Sequence, residues 1–377
     1  MNTAVEIIRD EIARQGAIPF RRFMELALYC PDCGYYEKEN DTIGRRGDFY
    51  TSVSVGRLFG ELLAFQFAAW LDAPRAHSIE PLGSPRQLVE AGAHHGHLAR
   101  DILTWLRNQR PTLCEQLEYW ILEPSAGRRA KQAETLWEFA GTICWAGSFS
   151  ELAARLHQAA PSATSVRGII FANELLDAFP VHRLGWDAKR FEWFEWGVAW
   201  RAGRFVWVRL SALLPASGLS PFAAPELLTV LPDGFTTESC PAATTWWREA
   251  ANLLQQGRLL TFDYGLNAEE FLAPHRANGT LRAYHHHRYA DDVLAQPGEQ
   301  DLTAHVNFTA LQAAGETAGL LTEAAQTQSQ FLTGITQRAW AAGSGFGAWS
   351  SDRTRQFQTL THPEHLGRAF RVLVQAR

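Results

Sequence analysis

Two carboxylates and a pair of glycines offer the first chemistry in this chain. Glu90 opens the run Glu90-Ala91-Gly92-Ala93-His94-His95-Gly96-His97-Leu98, directly after the apolar Gln87-Leu88-Val89. A glycine turn between a strand and the next helix is where open α/β sheets hold the polar part of a nucleotide-like ligand, because glycine lets backbone approach the ligand closely. A dinucleotide would want GxGxxG. Position 94 is histidine, and three residues separate Gly92 from Gly96, so nicotinamide and flavin dinucleotides are disfavoured. A carboxylate directly before the turn repels a pyrophosphate but complements the ammonium and sulfonium of S-adenosylmethionine. Glu123, which ends the run Leu117-Glu118-Tyr119-Trp120-Ile121-Leu122, is placed to accept both hydrogen bonds of a ribose diol.

A second polar group follows Gly168-Ile169-Ile170-Phe171-Ala172, in the run Asn173-Glu174-Leu175-Leu176-Asp177-Ala178-Phe179-Pro180. At a strand's carboxyl end these side chains face the ligand crevice, where a transferable methyl would meet its acceptor. The same residues equally fit a helix start, with Asn173 as cap and Glu174 and Asp177 set against the dipole. Both readings stand, since capping and catalysis are compatible at one position. Histidines gather at 94, 95 and 97 and again at 285–287. Adjacent histidines on a strand point to opposite faces, and neither run has the HExxH or Cys/His spacing of a metal site, so no metal is expected. Of the five cysteines, Cys30 and Cys33 form CxxC, but among Pro31, Gly34, Tyr35 and Tyr36 the motif reads as a turn and not as a redox centre. An odd, scattered cysteine set is a poor disulfide framework and fits reduced thiols in the cytosol.

The elements that must position these groups follow from periodicity. Apolar runs at 87–90, 117–123, 142–145, 168–172 and 258–263 read as strands, and helices are expected at 97–108, 125–139 and 149–159 between them. Strands alternating with helices imply a mostly parallel, doubly wound sheet with ligands at the carboxyl ends of its strands. Ahead of it, helices near 4–15, 19–29 and 58–71 form an N-terminal helical cap over 1–75, with the sheet domain over 76–377 and insertions at about 183–235 and 326–365. The first insertion alternates aromatic and polar residues over 191–200 and 204–210 around Ala202-Gly203, as a β-hairpin would. Its tryptophans, Trp193, Trp196, Trp200 and Trp207, suggest an exposed partner surface or a homodimer interface, with burial as the ordinary alternative. A last strand is expected at 370–374, after additional C-terminal helices.

The chain's 377 residues exceed the roughly 250 to 300 at which one core stops growing. With 46% hydrophobic and 20% charged residues it has material for a large folded core. A net charge of −5 gives no positive field for non-specific nucleic-acid binding. The most apolar stretch, 58–71, is too short to cross a bilayer, which needs about 20 residues. The acidic start, with Glu6, Asp10 and Glu11, lacks the apolar stretch of a signal peptide. A cytosolic location is expected.

The motifs resemble those of the MidA-like class I methyltransferases, whose mitochondrial members are protein-arginine methyltransferases needed for assembly of respiratory complex I. The likeness covers nearly the whole chain. It includes Phe23-Met24-Glu25-Leu26-Ala27-Leu28-Tyr29, Gly47-Asp48-Phe49-Tyr50-Thr51-Ser52, Phe59-Gly60-Glu61, the glycine turn and Ala172-Asn173-Glu174-Leu175-Leu176-Asp177-Ala178. It continues through Asp263-Tyr264-Gly265, Gly279-Thr280-Leu281, Asp301-Leu302-Thr303-Ala304-His305-Val306-Asn307-Phe308, Gln328 and Phe331-Leu332. The resemblance implies a Rossmann-like methyltransferase fold, S-adenosylmethionine as cofactor and an arginine of a partner protein as methyl acceptor. It sets Glu90, Gly92 and Gly96 around the methionine moiety, Glu123 on the ribose, and the loop bearing Gly47, Asp48, Thr51 and Ser52 over the cofactor.

The family turn usually reads ELGPGRG; here Ala93 and His94 replace its proline and middle glycine. A side chain at 94 either obstructs the backbone's approach or demands a φ that costs histidine energy. That departure motivates a second reading, a methyltransferase-shaped binding or assembly factor. On the first reading Asn173, Glu174 and Asp177 orient an acceptor guanidinium, a poor nucleophile while it stays protonated.

Overall fold

The alternation of apolar runs and helices does produce a wound sheet. A computed structural model describes residues 3–38, 51–72, 86–159, 165–210, 228–285, 288–343, 346 and 349–377. Seven strands lie side by side: β1 (Arg86–Ala91), β2 (Leu117–Leu122), β3 (Ile143–Ala146), β4 (Val166–Asn173), β5 (Leu254–Leu266), β6 (Leu321–Thr327) and β7 (Phe370–Ala376). Their order is β6-β7-β5-β4-β1-β2-β3. β1 pairs in parallel with β2 and β4, as do β2 with β3 and β4 with β5. β6 and β7 run antiparallel, and Gly257 and Arg377 exchange both N–H···O bonds where β5 meets β7. The strand order reverses between β1 and β4, so the switch point at which such sheets bind ligands lies at the glycine turn.

Consecutive residues Leu88 to Ala91 and Ile169 to Ala172 are buried without alternation, as in a parallel sheet covered on both faces. Two glycines let the central strands close up. A Cβ on Gly168 would fall 2.0 Å from Gln87 O, and one on Gly257 would fall 1.8 Å from Gly168 O.

The chain forms two compact units. One joins 51–175, 247–263 and 312–377 and holds the sheet; the other joins 1–50, 176–246 and 264–311. The helix Leu58–Asp72, grouped by sequence with the cap, packs inside the sheet unit, with Phe59 edge-on to Phe262 at 5.4 Å and Phe67 5.1 Å from Phe171. Its apolar residues run nearly all round, the mark of a helix buried in a core.

In the other unit, helices Ala4–Gln15 and Phe20–Tyr29 bury Ile8, Ile12, Phe20, Phe23 and Leu28 with Val198 and Phe205. Those last two belong to the expected hairpin, Glu192–Arg201 paired with Arg204–Arg209. Its turn residues Ala202 and Gly203 have φ of 49° and 78°, the two positive values a type I′ turn requires. The hairpin tryptophans are half-buried and not exposed. Trp207 packs on Phe20 at 4.9 Å beneath the Arg183 guanidinium, Trp200 lies under Arg9, Trp193 sits 5.1 Å from Trp186, and Trp196 sits 4.9 Å from Phe194. Cys30 ends its helix and accepts from Gly34 N–H at 2.7 Å, so the CxxC is a turn. Both thiols are free, and burial followed by the contact with Cys30 pushes Cys33 up to about 12. Among the described residues, no helix is long and apolar enough to cross a membrane, and no cluster of three or more His, Cys, Asp and Glu side chains is arranged to hold a metal.

Candidate functional site

In the sheet unit, polar residues converge at the carboxyl ends of β1, β2, β4 and β5. Glu90, one residue before the end of β1, is 2% exposed. Tyr119 of β2 donates its hydroxyl to Glu90 Oε2 at 2.6 Å. Burial pushes the Glu90 carboxyl up to about 7, against the opposing pull of that hydrogen bond. Near neutral pH the group is therefore poised to ionise when a cation approaches.

The turn keeps a glycine-like path. Gly92 (φ 71°) donates to Leu122 O at 3.3 Å, and a Cβ there would come 2.8 Å from Leu175 Cδ1. Gly96 (φ 81°) precedes the helix His97–Gln109, whose first N–H groups receive no side-chain cap. His94 lies between them at φ 48°. Histidine has taken the left-handed conformation of the glycine it replaces, at a cost of about 1–2 kcal/mol. Its ring lies 3.9 Å from that of His95, tilted by 32°, its carbonyl accepts from Gln132 Nε2 at 3.0 Å, and burial, with His95 second, pushes its pKa down to about 2. The imidazole is thus neutral.

Glu123 follows β2 and is 4% exposed. Its N–H donates to Ala146 O at 2.9 Å; Oε1 accepts from Ser125 N–H at 3.0 Å and Oε2 from Gln132 Nε2 at 3.2 Å. Gln132 is fully buried, and its Oε1 accepts from Trp145 Nε1 at 3.0 Å. One amide thereby ties the glycine turn, the end of β2 and β3 together. Sequence reading missed Gln132 and Tyr119, and no spacing marks either.

Asn173 ends β4. Glu174, with φ 53°, donates its N–H to Phe262 O at 2.8 Å, and its Oε1 accepts from Ser52 N–H at 2.9 Å and Asn173 Nδ2 at 3.1 Å. The helix-start reading of this run does not hold, because only a single 3₁₀ turn, Leu176–Ala178, follows. Asp263 of β5 is fully buried and accepts from Leu175 N–H at 3.2 Å, a role the sequence left unassigned. Thr51 caps the short helix Ser52–Val55, and Ser52 Oγ donates to Gln328 Oε1 at 3.1 Å. Gly47 and Asp48 lie outside the described residues. Asp177 belongs to the other unit, where its carbonyl accepts from Ala304 N–H at 2.9 Å.

These residues fit S-adenosylmethionine. A buried carboxylate poised to ionise suits its cationic end, and the uncapped N–H groups of the helix at His97 suit its carboxylate. Glu123, a buried acceptor at the end of β2, suits the hydroxyls of a ribose diol.

The sequence pattern of a family described as "Putative S-adenosyl-L-methionine-dependent methyltransferase" matches residues 62–325. The chain is 31% identical to a Burkholderia thailandensis protein whose crystal structure is bound to S-adenosyl-homocysteine. The two superpose with a TM-score of 0.81 over 99% of this chain and 92% of that one. It is 29% identical over 333 residues to the Drosophila melanogaster protein named Protein arginine methyltransferase NDUFAF7 homolog, mitochondrial, covering 83% of this chain and 70% of that one. The Homo sapiens protein named Protein arginine methyltransferase NDUFAF7, mitochondrial, is 27% identical over 332 residues, covering 82% and 68%. The fold is accordingly that of an α/β class I methyltransferase.

Proposed function

The chain belongs to the S-adenosyl-L-methionine-dependent methyltransferase family matched over residues 62–325, and from that premise we propose that it methylates an arginine of a partner protein. The observation that carries the reading is the pair of buried carboxylates, Glu90 and Glu123, at the ends of adjacent parallel strands on either side of the glycine turn. The arginine acceptor is supported by the names of the curated relatives.

When bound, S-adenosylmethionine supplies a methyl group activated on a sulfonium. The protein's task is positioning and exclusion of water. Glu90 meets the ammonium, the N–H groups at the start of helix His97–Gln109 meet the carboxylate, and Glu123 accepts from the ribose hydroxyls. Glu174, with Asn173 holding its carboxylate, orients the acceptor guanidinium and favours loss of the proton from the attacking nitrogen. His94 takes the left-handed φ of the glycine it replaces, which supports the catalytic reading over a non-catalytic assembly factor.

Calorimetric titration with S-adenosylmethionine, S-adenosyl-homocysteine and NAD tests the donor half: the first two saturate and the third does not. Transfer of labelled methyl to protein, with the site read by mass spectrometry, tests the acceptor half. Label on lysine or on a small molecule would remove arginine from the proposal.

A further inference from the structure

Gln328 carries the family resemblance without a role in the reading above. It is the first residue of the helix Gln328–Ala341 and is fully buried. The helix start does not need its amide, since Thr327 and Gln330 close a capping box there. The amide instead bridges two segments of the sheet unit. Its Nε2 donates to Leu360 O at 3.0 Å, near the end of the helix Ser351–Thr361, and its Oε1 accepts from Ser52 Oγ at 3.1 Å. A carbonyl only accepts, so the NH2 end must face Leu360 and the oxygen must face Ser52, which makes the serine hydroxyl a donor. Ser52, also fully buried, in turn donates its backbone N–H to Glu174 Oε1 at 2.9 Å. Four groups thus stand in series, from the Leu360 carbonyl through Gln328 and Ser52 to the Glu174 carboxylate.

The helix Ser351–Thr361 also holds the far end of the short helix Ser52–Val55. Gln356 Oε1 accepts from Leu58 N–H at 3.1 Å, and a Cβ on Gly56 would fall 2.5 Å from Gln356 Cδ, so the backbone there lies directly against the glutamine. Arg353, on the same helix, donates to Glu61 Oε2 at 2.9 Å. The segment that meets Glu174 is therefore fixed at both ends by the C-terminal helices. Burying a glutamine amide costs free energy unless both of its ends are paired, whereas an apolar side chain fills such a place without that condition. A buried amide with both ends satisfied is what holds a working side chain to within about 0.5 Å of its place.

We propose that Gln328 is a positioning residue for methyl transfer, acting through the Ser52 backbone on the Glu174 carboxylate, which rests on the role given to Glu174 above. Anchored on the Leu360 carbonyl, its amide sets where the Ser52 N–H points and so where Glu174 Oε1 sits.

The test compares wild type, Gln328→Met, Glu174→Gln and the double variant. Single-turnover transfer of labelled methyl from bound S-adenosylmethionine to arginine, in a protein extract of cells lacking this chain, is expected to fall at least about tenfold in Gln328→Met, since a small displacement of an orienting group is costly. In the Glu174→Gln background the same substitution changes transfer less than about twofold, because the group it positions is already lost. The Ser52 amide resonance, read in serine-labelled protein, moves upfield in Gln328→Met as it does in Glu174→Gln, as the charge-assisted hydrogen bond weakens. Unchanged transfer in Gln328→Met, a loss that multiplies in the double variant as a merely structural role would give, or an unmoved Ser52 resonance overturns the proposal and leaves the methyltransferase standing. Absence of transfer by wild type would instead remove the acceptor reading, and the Ser52 resonance would still decide whether Gln328 sets the carboxylate. Should Gln328→Met not fold, Ser52→Ala breaks the same link from its other end. A loss of transfer that vanishes in the Glu174→Gln background then supports the proposal, and a loss that persists there overturns it.

Discussion

The Tyr119 hydroxyl lies 2.6 Å from Glu90 Oε2, joining two buried side chains on adjacent parallel strands. The folded-state pKa of Glu90, about 7, exceeds its ordinary 4.5, so the folded protein holds this proton more tightly than the unfolded chain. Stability from this group is therefore full below pH 4.5 and falls as pH rises to about 7. Binding of a cationic donor needs the ionised form, so affinity for S-adenosylmethionine rises with pH and levels off above about 7. Glu90→Gln flattens both profiles. Tyr119→Phe removes the interaction that holds the pKa down, and moves the affinity midpoint upward. Calorimetry across this range checks it, and a flat wild-type profile would contradict the assignment of Glu90.

Gln132, itself fully buried, makes three hydrogen bonds, donating to His94 O and Glu123 Oε2 and accepting from Trp145 Nε1. Gln132→Leu preserves most of the volume and strands all three partners. Each buried polar group left short costs about 1–3 kcal/mol, with sharing among neighbours. The expected loss is about 3 kcal/mol in chemical denaturation, with affinity for S-adenosyl-homocysteine down about tenfold. A stability loss with unchanged affinity would make Gln132 a packing residue alone.

His94→Gly tests what the imidazole does. Relief of the left-handed backbone, about 1–2 kcal/mol, is offset by the roughly 0.5–1 kcal/mol that glycine's greater unfolded freedom costs. Melting then changes little, and S-adenosyl-homocysteine binds within about threefold of wild type. A tenfold loss would mean that the ring itself contacts the donor.

Much of this was legible because parallel strands announce themselves as apolar runs ended by polar residues. β1, β2 and β4 each end at or beside the group sequence reading picked out, and Glu90, Glu123, Asn173 and Glu174 lie at the carboxyl ends of neighbouring parallel strands. What stayed hidden depends on contacts distant in sequence. The helix Ala126–Thr135 is polar on most of its surface, so a buried Gln132 looks like its solvated neighbours. The unit boundary could not be drawn as a single cut because each unit is built from three separate segments. Asp177, four residues from Asn173 in the chain, falls across that boundary.

Glu174 combines a positive φ of 53° with a carboxylate whose Oε1 receives Ser52 N–H and Asn173 Nδ2. A strained backbone position that holds a charged group in place is where function repays local cost. Glu174→Gln keeps the size and an accepting oxygen but loses the charge. Methyl transfer is expected to fall at least about hundredfold, near 3 kcal/mol of barrier, with S-adenosyl-homocysteine affinity within about threefold. Glu174→Gly separates backbone from side chain: it relaxes φ, so the fold persists, and turnover is still lost. Single-turnover transfer of labelled methyl alongside a binding isotherm distinguishes the cases. A weakened isotherm with normal turnover of bound donor would reassign Glu174 to holding the Ser52 segment.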